Sequence, residues 1–158
     1  TPYLQEKLEP GLVGFRSHEN MWDLDARWIN YVSTAAKFEY STMAFGCALG
    51  LAESINFIFK TGVETIFQHN KLLTDRLIEG MLEIGAKITS PLNDKDRTSI
   101  VRAHIESVDT YQLKNGLQNA QVFVSTRGNS IRFSPHLYNT LDDMDKAINE
   151  IKKWIRNN

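Results

Sequence analysis

An α+β fold, with long helices followed by a small, mostly antiparallel sheet covered on one face by helices, is what this 158-residue sequence predicts. Three observations carry the expectation. Residues 43–84 are apolar at helical spacing over two long stretches, residues 86–134 break into short runs with β-branched residues, and a stripe of period 3.6 returns after Thr140.

Taken in order, residues 1–42 read as an irregular arm, because Pro2, Pro10, Gly11 and Gly14 break local structure while Phe15, Trp22, Trp28 and Phe38 lack sustained spacing. Such an arm needs something to pack on. From Met43 the run MAFGCALGLAESINFIFK is apolar on nearly all sides and rich in Ala and Gly, as in a helix buried in a tight interface, with Ser41 and Thr42 as capping chemistry before it. A second helix spans about residues 63–84, with Val63, Ile66, Phe67, Asn70, Leu73, Leu77, Met81 and Ile84 on one stripe and Gly85 as its stop.

Residues 86–89 and 99–106 then read as strands around the polar turn PLNDKDR. Asp109 opens a short helix that ends near Ala120, a strand covers residues 121–126, Gly128 and Asn129 make a tight turn, and residues 131–134 return as a strand. Thr140, Asp142 and Asp143 start the last helix, whose buried stripe is Ala147, Ile148, Ile151, Trp154 and Ile155. The expected division is an arm over residues 1–42 and a small C-terminal domain over residues 43–158.

Composition narrows the function classes. A net charge of −1 and a pI near 6.4 give no electrostatic support for nucleic acid or an anionic membrane as partner. No apolar run is long enough to span a bilayer, and the N-terminus lacks the form of a signal peptide. Cys47 is the one cysteine, so an intrachain disulfide and a cysteine-based metal cluster are both ruled out, and a reducing, cytoplasmic compartment is the expectation. The histidines His18, His69, His104 and His136 lack metal-ligand spacing, and there is no Gly-rich nucleotide loop or serine-nucleophile elbow.

Three groups remain that suit chemistry. Arg127 and Arg132 sit in the strand-turn-strand unit VSTRGNSIRFSPHLYNT; a fixed guanidinium faces an anion, which is either a ligand carboxylate or a structural Asp or Glu. Ser41 and Thr42, ahead of the apolar helix, suit either a phosphate or plain capping. His136, after Pro135, is either a general base or a structurally bonded histidine.

The segment RGNSIRFSPHLYNTLDDMDKAI resembles the C-terminal signature of the class V aminotransferases, pyridoxal-phosphate enzymes of fold type I, the aspartate aminotransferase fold. FEYSTMAFGCALGLAES is similar to the family's Phe-Glu-x-Gly-Thr stretch leading into a Gly- and Ala-rich helix, and LEPGLVGF with RSHENMWDL resembles a segment of the isopenicillin N epimerase-like branch. The resemblance covers essentially the whole chain. It implies that Arg132 binds the substrate α-carboxylate, that Arg127 is substrate-side or structural, and that Thr42, with Ser41 in place of the usual glycine, reaches the cofactor phosphate of a neighbouring subunit in a homodimer. His136, Tyr138 and Asn139 would shape the turn that presents Arg132.

The same resemblance implies that the Schiff-base lysine, the aspartate on the pyridine nitrogen and the stacking aromatic ring belong to a large domain upstream of Thr1. The chain is then a C-terminal fragment that supplies no catalytic residue and does not catalyse alone. Cysteine desulfurases of this superfamily carry a nucleophilic cysteine shortly before the arginine; residues 121–131 contain none, which leaves transamination, epimerisation or lyase chemistry on an α-amino acid. The competing expectation is a non-catalytic α+β ligand-binding or dimerisation module. The apolar helix further implies that the isolated fragment self-associates.

Overall fold

Side-chain caps and apolar stripes decide where the helices run. Asp109 accepts from the backbone N–H groups of Tyr111 and Gln112 (2.8 and 3.0 Å) and starts one helix; Thr140 and Asp143 start another through a reciprocal pair, Asp143 N–H to Thr140 Oγ1 (3.3 Å) and Thr140 N–H to Asp143 Oδ2 (2.9 Å). In the computed structural model, which describes residues 1–25 and 27–157, the elements are α1 (Pro2–Lys7), α2 (Phe45–Thr61), α3 (Val63–Glu83), β1 (Lys87–Ile88), β2 (Val101–His104), α4 (Thr110–Asn119), β3 (Ser125–Arg127), β4 (Ser130–Phe133) and α5 (Leu141–Asn157). The chain divides into two compact units, Thr1–Asn56 and Phe57–Asn158.

In the second unit the strands form one antiparallel sheet in the order β1-β2-β4-β3, and the α+β expectation is met. Val101 and Ala103 of β2, and Ile131 and Phe133 of β4, point to one side and join a core with Leu73, Leu77 and Met81 of α3, Leu113 and Leu117 of α4, and Met144, Ile148 and Ile151 of α5. The other side of the sheet bears Arg102, His104 and Arg132 at the alternate, half-buried positions. Ordinary burial of these apolar side chains, about 1.5–3 kcal/mol for each large one, is what holds the helices on the sheet. Gly128, at φ 58°, lies between β3 and β4 in the left-handed region that a tight hairpin turn uses.

Several boundaries differ from those read in the sequence. The arm is less irregular than expected: Pro2 opens α1 instead of breaking structure, because a proline at the first helical turn loses no intrahelical bond. Two 3-10 turns follow, at Phe15–Ser17 and Ala35–Phe38, and an isolated bridge pairs His18 with Tyr31. Lys37 is buried, with its ammonium donating to the Gln5 carbonyl, and Ser17 is fully buried. β3 begins only at Ser125, since Gln121 takes a positive φ of 60° and turns the chain at the end of α4. Val63 and Phe67 of the expected α3 stripe are exposed, whereas Thr74 and Gly80 are buried.

The largest difference concerns α2. Each of its residues is exposed, including Phe45, Leu49, Leu51, Phe57 and Phe59, so the helix expected to be buried in a tight interface covers nothing here. Cys47, expected to be buried, is exposed with it. A helix of this composition is stable in water only when something covers it, and sedimentation of the 158-residue chain is expected to show concentration-dependent association; a sharp monomer at all concentrations would contradict this.

The reciprocal cap of α5 gives a further expectation. The Thr140 backbone N–H and the Asn139 side-chain amide donate to Asp143 and hold its carboxyl below the usual carboxylate range. A carboxylate lowered in the fold contributes stability that is present above its unfolded pKa and fades as pH falls through the folded value. Thr140→Ala is expected to cost about 0.5–2 kcal/mol at neutral pH by thermal unfolding. Asp143→Asn should flatten the acid limb of the stability profile.

Candidate functional site

The side of the sheet away from the core carries both predicted arginines. Arg132 is half-buried on β4, and its Nε donates to Ser134 Oγ at 3.3 Å. Ser125 of β3 is its cross-strand neighbour, and Arg127 pairs with Ser130 one rung away, so side chains 125, 127, 130 and 132 all stand on this face. Arg127 is exposed, with one guanidinium N–H donating back to the Thr126 carbonyl at 2.8 Å. Neither arginine has an acidic partner among the described residues. The structural Asp or Glu that would have accounted for them is therefore not supplied by the described part of this chain.

On the other side of Arg132 stands a residue the sequence reading passed over. Arg102 of β2 is directly opposite Arg132. Its own N–H donates to Ser90 Oγ at 3.1 Å and its carbonyl accepts from Thr89 N–H at 2.8 Å, so both main-chain groups turn toward β1. The Arg102–Arg132 pair is therefore of the non-hydrogen-bonded kind, in which Cα atoms approach to about 4.5 Å and side chains lie closest. The Nε of Arg102 is buried and without a hydrogen-bond partner. The signal available in the sequence was the alternation Val101-Arg102-Ala103-His104, which sets Arg102 on the non-core side; the pairing with Arg132 was not available there.

The motif residues after β4 build a fixed turn. Asn139 accepts from the His136 backbone N–H (3.0 Å) through Oδ1, donates its own N–H to the His136 carbonyl (2.8 Å), and reaches Asp143 through Nδ2 (3.3 Å). Its carbonyl meets His69 Nε2 of α3 at 3.0 Å. His136 and Tyr138 stack at 5.5 Å between ring centroids, and both are exposed. A cavity of about 380 Å³ lies alongside this turn, lined by Phe123, Phe133, Pro135, Tyr138, Asp143 and Met144 among others; Arg132 does not line it.

Ser41 and Thr42 are exposed and precede α2, which begins only at Phe45, with Ala48 N–H bonding back to the Ala44 carbonyl. Ala44 thus occupies the cap position, and the expected capping by Ser41 and Thr42 is not made. Their hydroxyls have no partner in the described chain. The first-turn N–H groups of Gly46 and Cys47 have no intrahelical acceptor. No cluster of His, Cys, Asp and Glu suited to a metal is present among the described residues, and no described helix is long and apolar enough to cross a membrane.

Comparison with known proteins gives a consistent result. The sequence model of the class-V aminotransferases matches residues 3–146. A probable cysteine desulfurase of Staphylococcus epidermidis is 27% identical over 164 residues, covering 95% of this chain and 39% of the relative. Among solved structures, the apo cysteine desulfurase of Thermococcus onnurineus superposes with a TM-score of 0.81 at 21% identity, over 99% of this chain and 42% of that one. A variant of the protein C-DES, with glycine covalently linked to its PLP cofactor, superposes with a TM-score of 0.74 at 14% identity, over 94% of this chain and 39% of that one. The chain thus spans about two fifths of the length of these relatives.

Proposed function

Since the chain belongs to the class-V aminotransferase family, we propose that it is the part of a pyridoxal 5'-phosphate enzyme that grips the acid end of an α-amino acid substrate, with Arg132 as the residue that does so. The observation that carries this reading is that Arg132 stands on the open face of the sheet, half-buried and without an acidic partner among the described residues. A guanidinium fixed at its stem and matched to a carboxylate by two parallel N–H groups selects for an acid and sets its orientation. Bound pyridoxal phosphate supplies an electron sink for charge that develops at the substrate's α-carbon. Arg132 fixes which α-carbon substituent faces that sink by holding one substituent, the carboxylate, in place.

Ser41 and Thr42 are proposed as hydroxyl donors to the cofactor phosphate of a neighbouring subunit, and Arg127 as a second cation bordering the substrate. The Schiff-base lysine, the acid on the pyridine nitrogen and the stacking ring come, on this reading, from outside these 158 residues, from a large domain that packs with residues 43–158 as the small domain. The absence of a cysteine from residues 121–131 favours transamination, epimerisation or lyase chemistry over persulfide chemistry, although relatives are named desulfurases.

The test is a titration of the complete enzyme with an α-amino acid and with the amine that lacks only its carboxylate. Arg132→Ala should weaken the amino acid and leave the amine and the cofactor absorbance unchanged. Equal affinity of wild type and variant for the amino acid would refute the assignment.

A further inference from the structure

Two arginines directly opposite one another on the sheet face away from the core repel, and like charges in this position lower the stability of a sheet. The arrangement of Arg102 and Arg132 has no internal remedy. Neither is in an ion pair with a described residue, the Nε of Arg102 is buried and unbonded, and the positions around them on the same face are Lys87, His104, Arg127, Ser125 and Ser130. Among the described residues the carboxylate bonded to this group, Glu106, pairs with His104 at 3.3 Å and with neither arginine. Arginine cannot relieve the repulsion by losing its proton, so the pair calls for anions from outside the described chain.

One carboxylate has lone pairs for more than one fork, but it brings a single negative charge against the two positive charges of the pair. We propose, resting on the assignment of Arg132 to the α-carboxylate, that Arg102 receives a second acidic group on the substrate's side chain, and that the substrate class is an α-amino acid with a short anionic side chain. The non-hydrogen-bonded register keeps the two stems at close range, which suits an acid two or three bonds beyond the α-carbon. Thr89 N–H and Ser90 Oγ tether both main-chain groups of Arg102, so the backbone that carries the second arginine is held in place. Arg102 is then a specificity-determining residue: an amide in place of the side-chain acid leaves its guanidinium desolvated without a counter-charge.

The experiment measures dissociation constants of the complete enzyme for aspartate against asparagine and for glutamate against glutamine, in wild type, Arg102→Gln, Arg102→Lys and Arg132→Ala. In wild type one acid should be preferred to its amide by about 10- to 150-fold, the range of a charge-assisted hydrogen bond. Arg102→Gln should weaken that acid alone and bring the ratio near one, Arg102→Lys should restore part of it, and Arg132→Ala should weaken acid and amide by equal factors. The absence of any acid preference in wild type overturns the proposal even if every Arg102 variant fails to fold. So does an Arg102→Gln variant that weakens acid and amide equally, or one that leaves the ratio unchanged. An Arg132→Ala variant that binds all four as wild type does refutes the carboxylate assignment instead, whatever Arg102 does.

Discussion

Ile148→Ala is expected to destabilise the second unit by about 2–5 kcal/mol, the largest effect of any single side chain considered. Ile148 is 1% exposed and packs against Gly80 of α3: a Cβ placed on Gly80 would lie 2.3 Å from Ile148 Cδ1 and 2.6 Å from its Cγ1. The glycine is there because the isoleucine is. In the wild-type background Gly80→Ala gains about 1 kcal/mol of helix propensity but overpacks at a cost of about 1–3 kcal/mol, so it is neutral or destabilising. With Ile148 already truncated the same substitution meets no obstacle and should stabilise by about 1 kcal/mol. Chemical denaturation of the four members of this cycle should therefore show a sign change at Gly80, with a coupling of about 0.5–3 kcal/mol. Additive effects would mean that α3 and α5 do not approach as described.

Arg132→Ala in the complete enzyme is expected to raise the dissociation constant for the α-amino acid by about 1.5–3 kcal/mol, roughly 10- to 150-fold. The size follows from a charge-assisted, two-pronged contact; a single neutral hydrogen bond would give about 1 kcal/mol. Arg132→Lys separates the two contributions, since lysine keeps the charge but not the fork, and should recover only part of the loss. The fold should tolerate the change, because Arg132 lies on the side of the sheet away from the core and its one side-chain hydrogen bond among the described residues, to Ser134, is a long one at 3.3 Å. Relief of the repulsion with Arg102 should even raise the melting temperature slightly. A fall in stability with unchanged substrate affinity would mark the residue as structural.

The open face of α2 shows how local pattern and tertiary context part company. Its composition, apolar on nearly all sides, predicts a helix buried in a tight interface, yet the described chain holds nothing that covers it. Thr42 and Ser41 illustrate a smaller miss of the same kind. Hydroxyl residues before an apolar run are good caps, but the helix starts at Phe45, and the turn at Met43 sets Ala44 at the cap position instead. Asp109 and Thr140 do start their helices, because each is adjacent to its helix and bonds to N–H groups within three residues.

Residues close in sequence thus determined most of the elements: the caps, the core stripe of α5, the Gly128 turn and the β2 and β4 alternation all rest on interactions spanning four residues or fewer. The family was legible for the same reason, since the motif from Arg127 to Asp143 is one continuous run of hairpin, turn and cap. Strand pairing is different. Arg102 and Arg132 are separated by a helix and a hairpin, and a slip of one residue in register would have sent one of them into the core. That register is fixed by the simultaneous burial of Val101, Ala103, Ile131 and Phe133 against three helices, a condition on the whole unit that no stretch of sequence expresses by itself.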